Sequence, residues 1–559
     1  MVGEIMEKML EKQIKGLSKR IPCVGFSVVL FDNEKVLYKH NQGYINKEKA
    51  IQTDDDSMFM IGSNTKVITS LCIFKLYEEG KLLLEDDIKK YIPELNIKSL
   101  FEYEKITIGD ILMHRAGLQC DLYNFIMNDS KDYHEIVEAL GDTYLTNKPG
   151  QMFAYSNIGY TLLGIVIERI SGLSYVDFVN EYIAKPLDIE ISFKHSKNQL
   201  PDNYSLCYNK KLQSVIDLVD VMIPAGSNTY MKILDFVKIG QLLLNEGSVD
   251  GNVIFQKETI ELMKTYKLTH ELDDQMSNVG YGIFHNKEQY GNAGKVYGHG
   301  GDTVCHHSFF SFIPEQNLGA LVFTNSETAT MLSRILGISA LSIYLGNQGF
   351  DVPKALKKEY QYVNTDISNY VGEYATVLGL MELKYDKKNN LVTKIKGLPV
   401  KLLPCDDGFL HAVLNCNFLL KSILKKVMPT LRLKLVDYYG EEVLLLEQIT
   451  VNQVAKVFIG TRYQANSNTD TLWYQAVGEY EITNMNTDKI SLKLVEQNGK
   501  LLIQLDLDSE KTFSYLMVEN DNLAFTQGFG RNAKEACHLR VEDGYYYLTC
   551  QGVIGKKKA

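Results

Sequence analysis

Five side chains in three short segments have the types and settings needed for nucleophilic chemistry. Ser63 and Lys66 stand three residues apart in "MIGSNTKVITSLCIFKLYEEGK", a spacing that puts both on one face of a helix. A serine hydroxyl becomes a nucleophile when a nearby base takes its proton. A lysine serves as that base once burial or a neighbouring cation brings it down from its ordinary pKa of about 10.4. Gly62 ahead of the serine lets the chain turn sharply into the helix, whose first N–H groups suit a developing oxyanion. S-x-x-K is a short pattern, however. Ser422 and Lys425 in "SILK" match it too, and a serine before a helix is commonly just an N-cap.

The second segment is Tyr155-Ser156-Asn157 in "GQMFAYSNIGYTLLG". A phenol can relay a proton and an amide can bind a substrate carbonyl; a packed loop tyrosine beside a capping asparagine is the plainer alternative. The third is His299-Gly300-Gly301 in "GKVYGHGGDT". Two glycines on a strand edge let a substrate backbone come close, or simply form a bulge beside an exposed histidine. Chance readily supplies any one of these segments and far less readily all three in this order.

Several elements must position them. "VGFSVVLF" and "VLYKHNQGYI", joined by "DNEK", read as two strands. The stretch after Ser63 is apolar almost all round at helical spacing, which predicts a buried helix closed near Gly80. "LEDDIKKYI", "TIGDILMHR", "YTLLGIVIERISG" and "ILDFVKIGQLLLNEG" predict further helices. "GYGIF", "VYGHGG", "HHSFFSFI" and "GALVFTN" predict strands, with "PEQNLG" a hairpin connection and "ATMLSRILGISALSIYLG" a closing helix. The class is α+β, an antiparallel sheet flanked by helices with a helical subdomain, over residues 1–350. A polar, proline-containing linker follows at 351–367. Beyond it the chain turns to short alternating strands. "VGEY" at Val371–Tyr374 recurs at Val477–Tyr480, each time opening such a run, so two small antiparallel β-barrel domains are expected at 368–470 and 471–559.

At 559 residues the chain needs more than one core. Its 45% apolar and 23% charged residues are those of a globular protein. A net charge of −10 argues against sequence-independent nucleic-acid binding, which requires a basic face. The first twenty residues read as an amphipathic helix rather than a secretory signal, and no apolar run long enough for a membrane span stands out. The 9 scattered cysteines, without a C-x-x-C pair, fit free thiols. A cytoplasmic location is the expectation from these features.

On "DDSMFMIGSNTKVITS", "ITIGDILMHRAGL", "YSNIGYTLLGIVIERISGLSY" and "GHGG…FIPEQNLGALVFTN", residues 20 to 347 resemble the serine β-lactamase/penicillin-binding-protein-like hydrolases, in the branch of class C β-lactamases, esterases and D-aminopeptidases. The resemblance implies a β-lactamase-like fold, Ser63 as acylated nucleophile, Lys66 as its base and Tyr155 sharing proton transfer. It places Asn157, His299, Gly300 and Gly301 against the substrate and the backbone N–H groups of Ser63 and Asp302 in the oxyanion hole. No metal or organic cofactor is implied. D-aminopeptidase-like relatives carry two lipocalin-like barrels after the catalytic domain, one of whose loops can reach the cleft, and the layout here is similar. The expected function is therefore a serine peptidase or amidase acting on small substrates through an acyl-enzyme. On this layout, loss of the barrels should alter substrate choice more than acylation.

His-Gly-Gly replaces the K-T-G of penicillin-recognising relatives, which removes an ammonium and a hydroxyl that would hold a substrate carboxylate. Val304-Cys305 replaces a frequent Pro-Gly, and "HRAGL" replaces H-T-S-G-L. An esterase or a β-lactamase of the same fold, and a catalytically idle binding relative, are the alternatives. A metal hydrolase built on Cys305-His306-His307 is disfavoured because neighbours on a strand point to opposite faces. "GFGRNA" at 528 mimics a dinucleotide motif without the helix that motif needs, and no G-x-S-x-G is present. The partners expected are a small peptide, amide or ester and, as an option, a second copy of the chain in a homo-oligomer.

Overall fold

The structure, a computed structural model, describes residues 2–126, 132–193, 201–215, 225–226, 228–267, 269–273, 278–286, 289–350, 352, 360–377, 379–395, 397–414, 430–449, 454–466, 471–485, 490–507, 510–531 and 533–558. Ser422, Lys425 and residues 351 and 353–359 of the linker expected at 351–367 lie outside them.

An eight-stranded antiparallel sheet organises the first part of the chain. Its strands are β1 (Gly25–Phe31), β2 (Val36–Asn46), β3 (Ile51–Gln52), β4 (Asn278–Val279), β5 (Phe284–Asn286), β6 (Val296–Asp302), β7 (His307–Ile313) and β8 (Leu318–Thr324), in the order β3-β2-β1-β8-β7-β6-β5-β4. Strands β1, β7 and β8 are buried at every position, because both faces of the sheet are covered. Side chains alternate between the two faces. Val28 and Leu30 join the core beneath α1 (Val2–Ser18) and α6 (Thr330–Asn347), while Val29 and Phe31 join the larger core on the opposite side. "PEQNLG" makes the β7–β8 turn, with Asn317 in the left-handed region at φ 48°.

The larger core is built around α2 (Thr65–Glu78), α3 (Ile108–Leu112), α4 (Asn157–Ser171) and α5 (Ile233–Leu244). In α2 every residue from Thr65 to Phe74 is buried, as an all-round apolar helix requires. "LEDDIKKYI" forms only a 3₁₀ turn, Ile88–Lys90, capped by Asp87. Ile88 N–H is paired to Ile106 and Ile108 N–H to Asp86, so tertiary backbone pairing takes the groups that a longer helix would have used. Among the described residues one helical stretch, Glu327–Asn347, is long and apolar enough to cross a membrane; here Leu332, Leu336, Ala340, Leu341 and Leu345 pack it against the sheet.

The remainder of the chain forms two closed eight-stranded antiparallel barrels. The first runs from Gly372–Thr376 to Val454–Arg462 and the second from Gly478–Ile482 to Val553–Lys557. Each pairs sequential strands and closes first on last, the up-and-down architecture of lipocalins. The two copies of "VGEY" occupy equivalent places. Tyr374 and Tyr480 are both buried, and each hydroxyl donates to a carbonyl four residues back, Tyr370 O at 3.0 Å and Ala476 O at 2.6 Å. Phe529 of the second barrel packs edge-on against Phe458 and Tyr438 of the first, in a cluster that also holds Met152 of the catalytic part. Tyr438 in turn donates to Asp273, which pairs with Arg115. All three bodies therefore meet along one seam.

Candidate active site

Ser63 lies in a 3₁₀ turn, Gly62–Asn64, that runs into α2. It does not act as a helix cap: the residues at the cap positions, Ile61 and Asn64, make no side-chain cap bond either. The Ser63 hydroxyl instead stands between Lys66 Nζ at 3.2 Å and the Tyr155 hydroxyl, which donates to it at 2.8 Å. Tyr155 comes from the loop before α4, where Ser156 caps the helix by accepting from Gly159 N–H at 3.0 Å. His114 fixes that loop. Its ring packs on Tyr155 at 4.3 Å, its Nδ1 accepts from Ser156 N–H and its carbonyl accepts from Ala154 N–H.

The partners of Lys66 decide what it can do. Its amine is fully buried and lies 2.6 Å from Asn157 Oδ1 and 2.7 Å from the Gly226 carbonyl. Both are acceptors without a proton, and the third neighbour is the Ser63 hydroxyl. A neutral amine has two N–H bonds and one lone pair. With the two N–H bonds on Asn157 and Gly226, the lone pair is left for Ser63. Burial pulls Lys66 from 10.5 down to about 7, against Asp121 and Cys120, which act to raise it, and with Arg531 lowering it. The Tyr155 phenol moves the other way, pushed up by burial and eased down by its bond to Ser63, so it keeps its proton.

His299, Gly300, Gly301 and Asp302 form the last residues of β6, facing β7 in the pairs His299–Phe310 to Asp302–His307. Along β6, strand β5 reaches only Val296–Gly298 among the described residues, so residues 299–302 are a local edge beside Ser63. Gly62, at φ 55°, makes the close approach possible: a Cβ there would sit 3.0 Å from Asp302 N. The room at Gly301 is taken by the chain itself, since a Cβ would lie 1.9 Å from the Ile61 carbonyl, whereas at Gly300 the nearest atom is 3.9 Å away. Gly301→Ala should therefore push β6 off Ser63 and slow its labelling about 100-fold, the usual effect of an ångström-scale misplacement, while Gly300→Ala should retain most of the rate. Labelling rates with a serine-reactive probe measure both.

His299 is buried, and burial with the nearby Lys66 takes it down to about 3, so the ring is uncharged. Its Nδ1 lies 2.6 Å from the Gly300 carbonyl, which requires the proton there. Its Nε2 is then an acceptor with no hydrogen-bond partner among the described residues. Asn157 is more committed than its sequence suggested: Oδ1 holds Lys66 and Nδ2 donates to Asp121 Oδ1 at 2.7 Å. His306, just before β7, turns to Cys207, whereas His307, its first residue, turns to Asp302 and Thr330.

Sequence reasoning missed Asp121, Gly226 and the second-barrel loop between Thr526 and Ala536. That loop carries "GFGRNA" and lines a cleft with Met152, Phe153 and Tyr155. Glu535 Oε1 accepts from Cys120 N–H at 2.9 Å, and Arg531 pairs with Asp121. The decoy dinucleotide motif was the available signal, because two glycines in a strand-rich tail mark a tight, protruding loop.

A family model described as Beta-lactamase matches residues 10–341. Protein flp of Staphylococcus aureus (strain N315) is 24% identical over 398 residues, 69% of this chain and 70% of that protein. Penicillin-binding protein 4* of Bacillus subtilis (strain 168) is 25% identical over 408 residues, 69% of this chain and 88% of that protein. The crystal structure of SurE shares the fold with a TM-score of 0.60 at 18% identity, covering 83% of this chain and 100% of SurE.

Proposed function

Because the chain belongs to the β-lactamase family of serine hydrolases, we propose that it cleaves amide or peptide bonds of small substrates through an acyl-enzyme on Ser63, as a D-aminopeptidase or amidase does. The observation that carries this reading is the Ser63 hydroxyl held between a buried lysine amine at 3.2 Å and a phenol at 2.8 Å. Lys66 takes the hydroxyl proton as Ser63 Oγ bonds to the carbonyl carbon. The N–H groups of Ser63 and Asp302 receive the oxyanion, and Tyr155 relays a proton to the leaving nitrogen. Water then releases the acyl group by the same steps in reverse order.

His299 supports an amide or amine substrate over a penicillin-type one. Where K-T-G would supply an ammionium-bearing side chain for a carboxylate, this site offers an uncharged acceptor, suited to a substrate N–H. The barrel loop at 528–535 narrows the cleft beside Tyr155, which fits small substrates.

A turnover screen over D- and L-aminoacyl amides, short esters and a chromogenic β-lactam, with intact-mass detection of the adduct, tests the proposal. Turnover of an aminoacyl amide with a Ser63 adduct supports it. Turnover of esters alone would make the protein an esterase, and no Ser63-dependent adduct with any probe would make it an idle scaffold. Tyr155→Phe should slow acylation about 100-fold, within the range of one general acid–base group, with little change in the thermal melt, as read by stopped-flow acylation and circular dichroism.

A further inference from the structure

We propose that Arg531, delivered by the second barrel, is a positioning residue of the catalytic centre: it holds the buried carboxylate of Asp121 on Asn157 so that this charge does not reach Lys66 unopposed. The inference rests on the Ser63–Lys66 reading above.

A continuous chain of contacts links the two cations. Lys66 Nζ donates to Asn157 Oδ1 at 2.6 Å, Asn157 Nδ2 donates to Asp121 Oδ1 at 2.7 Å, and Asp121 Oδ2 takes the Arg531 guanidinium. Asp121 is wholly buried, and its remaining hydrogen-bond partner among the described residues is the Cys120 thiol at 3.1 Å. A buried carboxylate two hydrogen bonds from an amine favours the ammonium form, by roughly one to three tenfold steps for a charge at close range. That would leave the base protonated at neutral pH. Arg531 supplies the opposing charge through its guanidinium, while the side chain as a whole is 55% exposed.

The loop is fixed well enough to place this group. Glu535 grips Cys120 N–H at 2.9 Å and Gln551 Nε2 at 2.7 Å, Phe529 is packed between the barrels, and Lys534 pairs with Glu441 of the first barrel. The other titratable groups around Lys66 carry no charge that would substitute. His114 and His299 are held neutral by burial and by Lys66 itself, and burial keeps the Cys120 thiol and the Tyr155 and Tyr160 phenols protonated. Glu535, raised by burial to about 7, is the one neighbour that titrates together with Lys66, so a rate profile alone would not separate the two.

The test is a direct titration of the Lys66 amine by ¹⁵N NMR of the full-length protein with ¹⁵N-labelled lysine, the signal being assigned by its loss in Lys66→Met. Arg531→Gln should move the midpoint up by at least one pH unit. Adding Asp121→Asn should return it to the wild-type value or lower, and Arg531→Lys should fall between wild type and Arg531→Gln. Ser63 labelling by a fluorophosphonate in Arg531→Gln should slow about tenfold at pH 6 and little at pH 9, where a structural defect would slow both. If Arg531→Gln does not fold, Asp121→Asn alone decides, because it should lower the midpoint. A midpoint unmoved in Arg531→Gln, an upward shift that Asp121→Asn does not reverse, or an unmoved midpoint in Asp121→Asn overturns the inference. Midpoints that behave as expected in a protein whose Ser63 no reagent labels would support the inference and overturn the acyl-enzyme reading instead.

Discussion

Ser63→Ala should remove every covalent adduct seen by intact mass and lower turnover of any substrate by ~10⁴-fold or more, as loss of the nucleophile does in hydrolases of this kind. The expectation follows from geometry. The Ser63 hydroxyl is the group that both Lys66 and Tyr155 address, so nothing else in the site inherits the nucleophile's place when it is gone. The fold should survive, because Ser63 caps no helix and the turn is held by other bonds, Thr65 Oγ1 to the Gly62 carbonyl at 2.7 Å and Ser308 Oγ to the Ile61 carbonyl at 2.6 Å. An unchanged melt with complete loss of the adduct is the expected pair of results. Residual adduct at another position would relocate the nucleophile.

Lys66→Met should lower acylation by ~10²–10⁴-fold, the range for loss of a general base, and should at the same time change how stability depends on pH. The amine is at about 7 in the fold and near 10.5 when solvated. Below pH 7 both states carry the proton, and the fold bears the full cost of burying a cation, roughly 5 kcal/mol for a displacement of that size. Between 7 and 10.5 the unfolded chain binds the extra proton, so wild-type stability rises with pH; above 10.5 the penalty is gone. Lys66→Met lacks this dependence, although it leaves Asn157 Oδ1 and the Gly226 carbonyl without a donor, at ~1–3 kcal/mol each. That second cost does not vary with pH. The stability of Lys66→Met relative to wild type should therefore be greatest at or below pH 7 and decline steadily towards pH 10, as measured by urea melts across the range. A parallel pair of curves would mean that Lys66 is an ordinary charged lysine.

The catalytic fold was legible because its signals are local and periodic. The all-round apolar stretch after Ser63 became a buried helix, and the strands flanking "PEQNLG" paired through that turn. "LEDDIKKYI" shows where local pattern fails: backbone pairing of Ile88 and Ile108 with distant or neighbouring segments outweighed a modest helical preference, as tertiary context routinely does. The barrels were legible through one repeated tetrapeptide, whose tyrosines make the same back-bond in each copy.

The site divides in the same way. Ser63 and Lys66 share a helical face, so their spacing alone brought them together. Asp121 and Arg531 are 410 positions apart, and no periodicity links a loop after α3 to a loop of the last barrel. Asn157 was read as an amide for a substrate carbonyl because its two partners, Lys66 and Asp121, are set by packing. The contact of Asp121 with Arg531 also alters what the barrels are expected to do. Removing them takes away the charge opposite Asp121 as well as the wall of the cleft, so acylation should suffer along with substrate choice.

The measurement that bears most directly on the whole account is the rate of Ser63 adduct formation from pH 5 to 10 in the wild-type protein and in Glu535→Gln, which removes the other group that titrates near 7, followed by intact mass with a reagent that does not itself titrate. An uncharged amine beside the hydroxyl predicts, in both proteins, a rate that climbs about tenfold per pH unit and levels off near 7. A flat profile, one still climbing past 9, or a midpoint near 7 that disappears in Glu535→Gln would show that Lys66 is not the base.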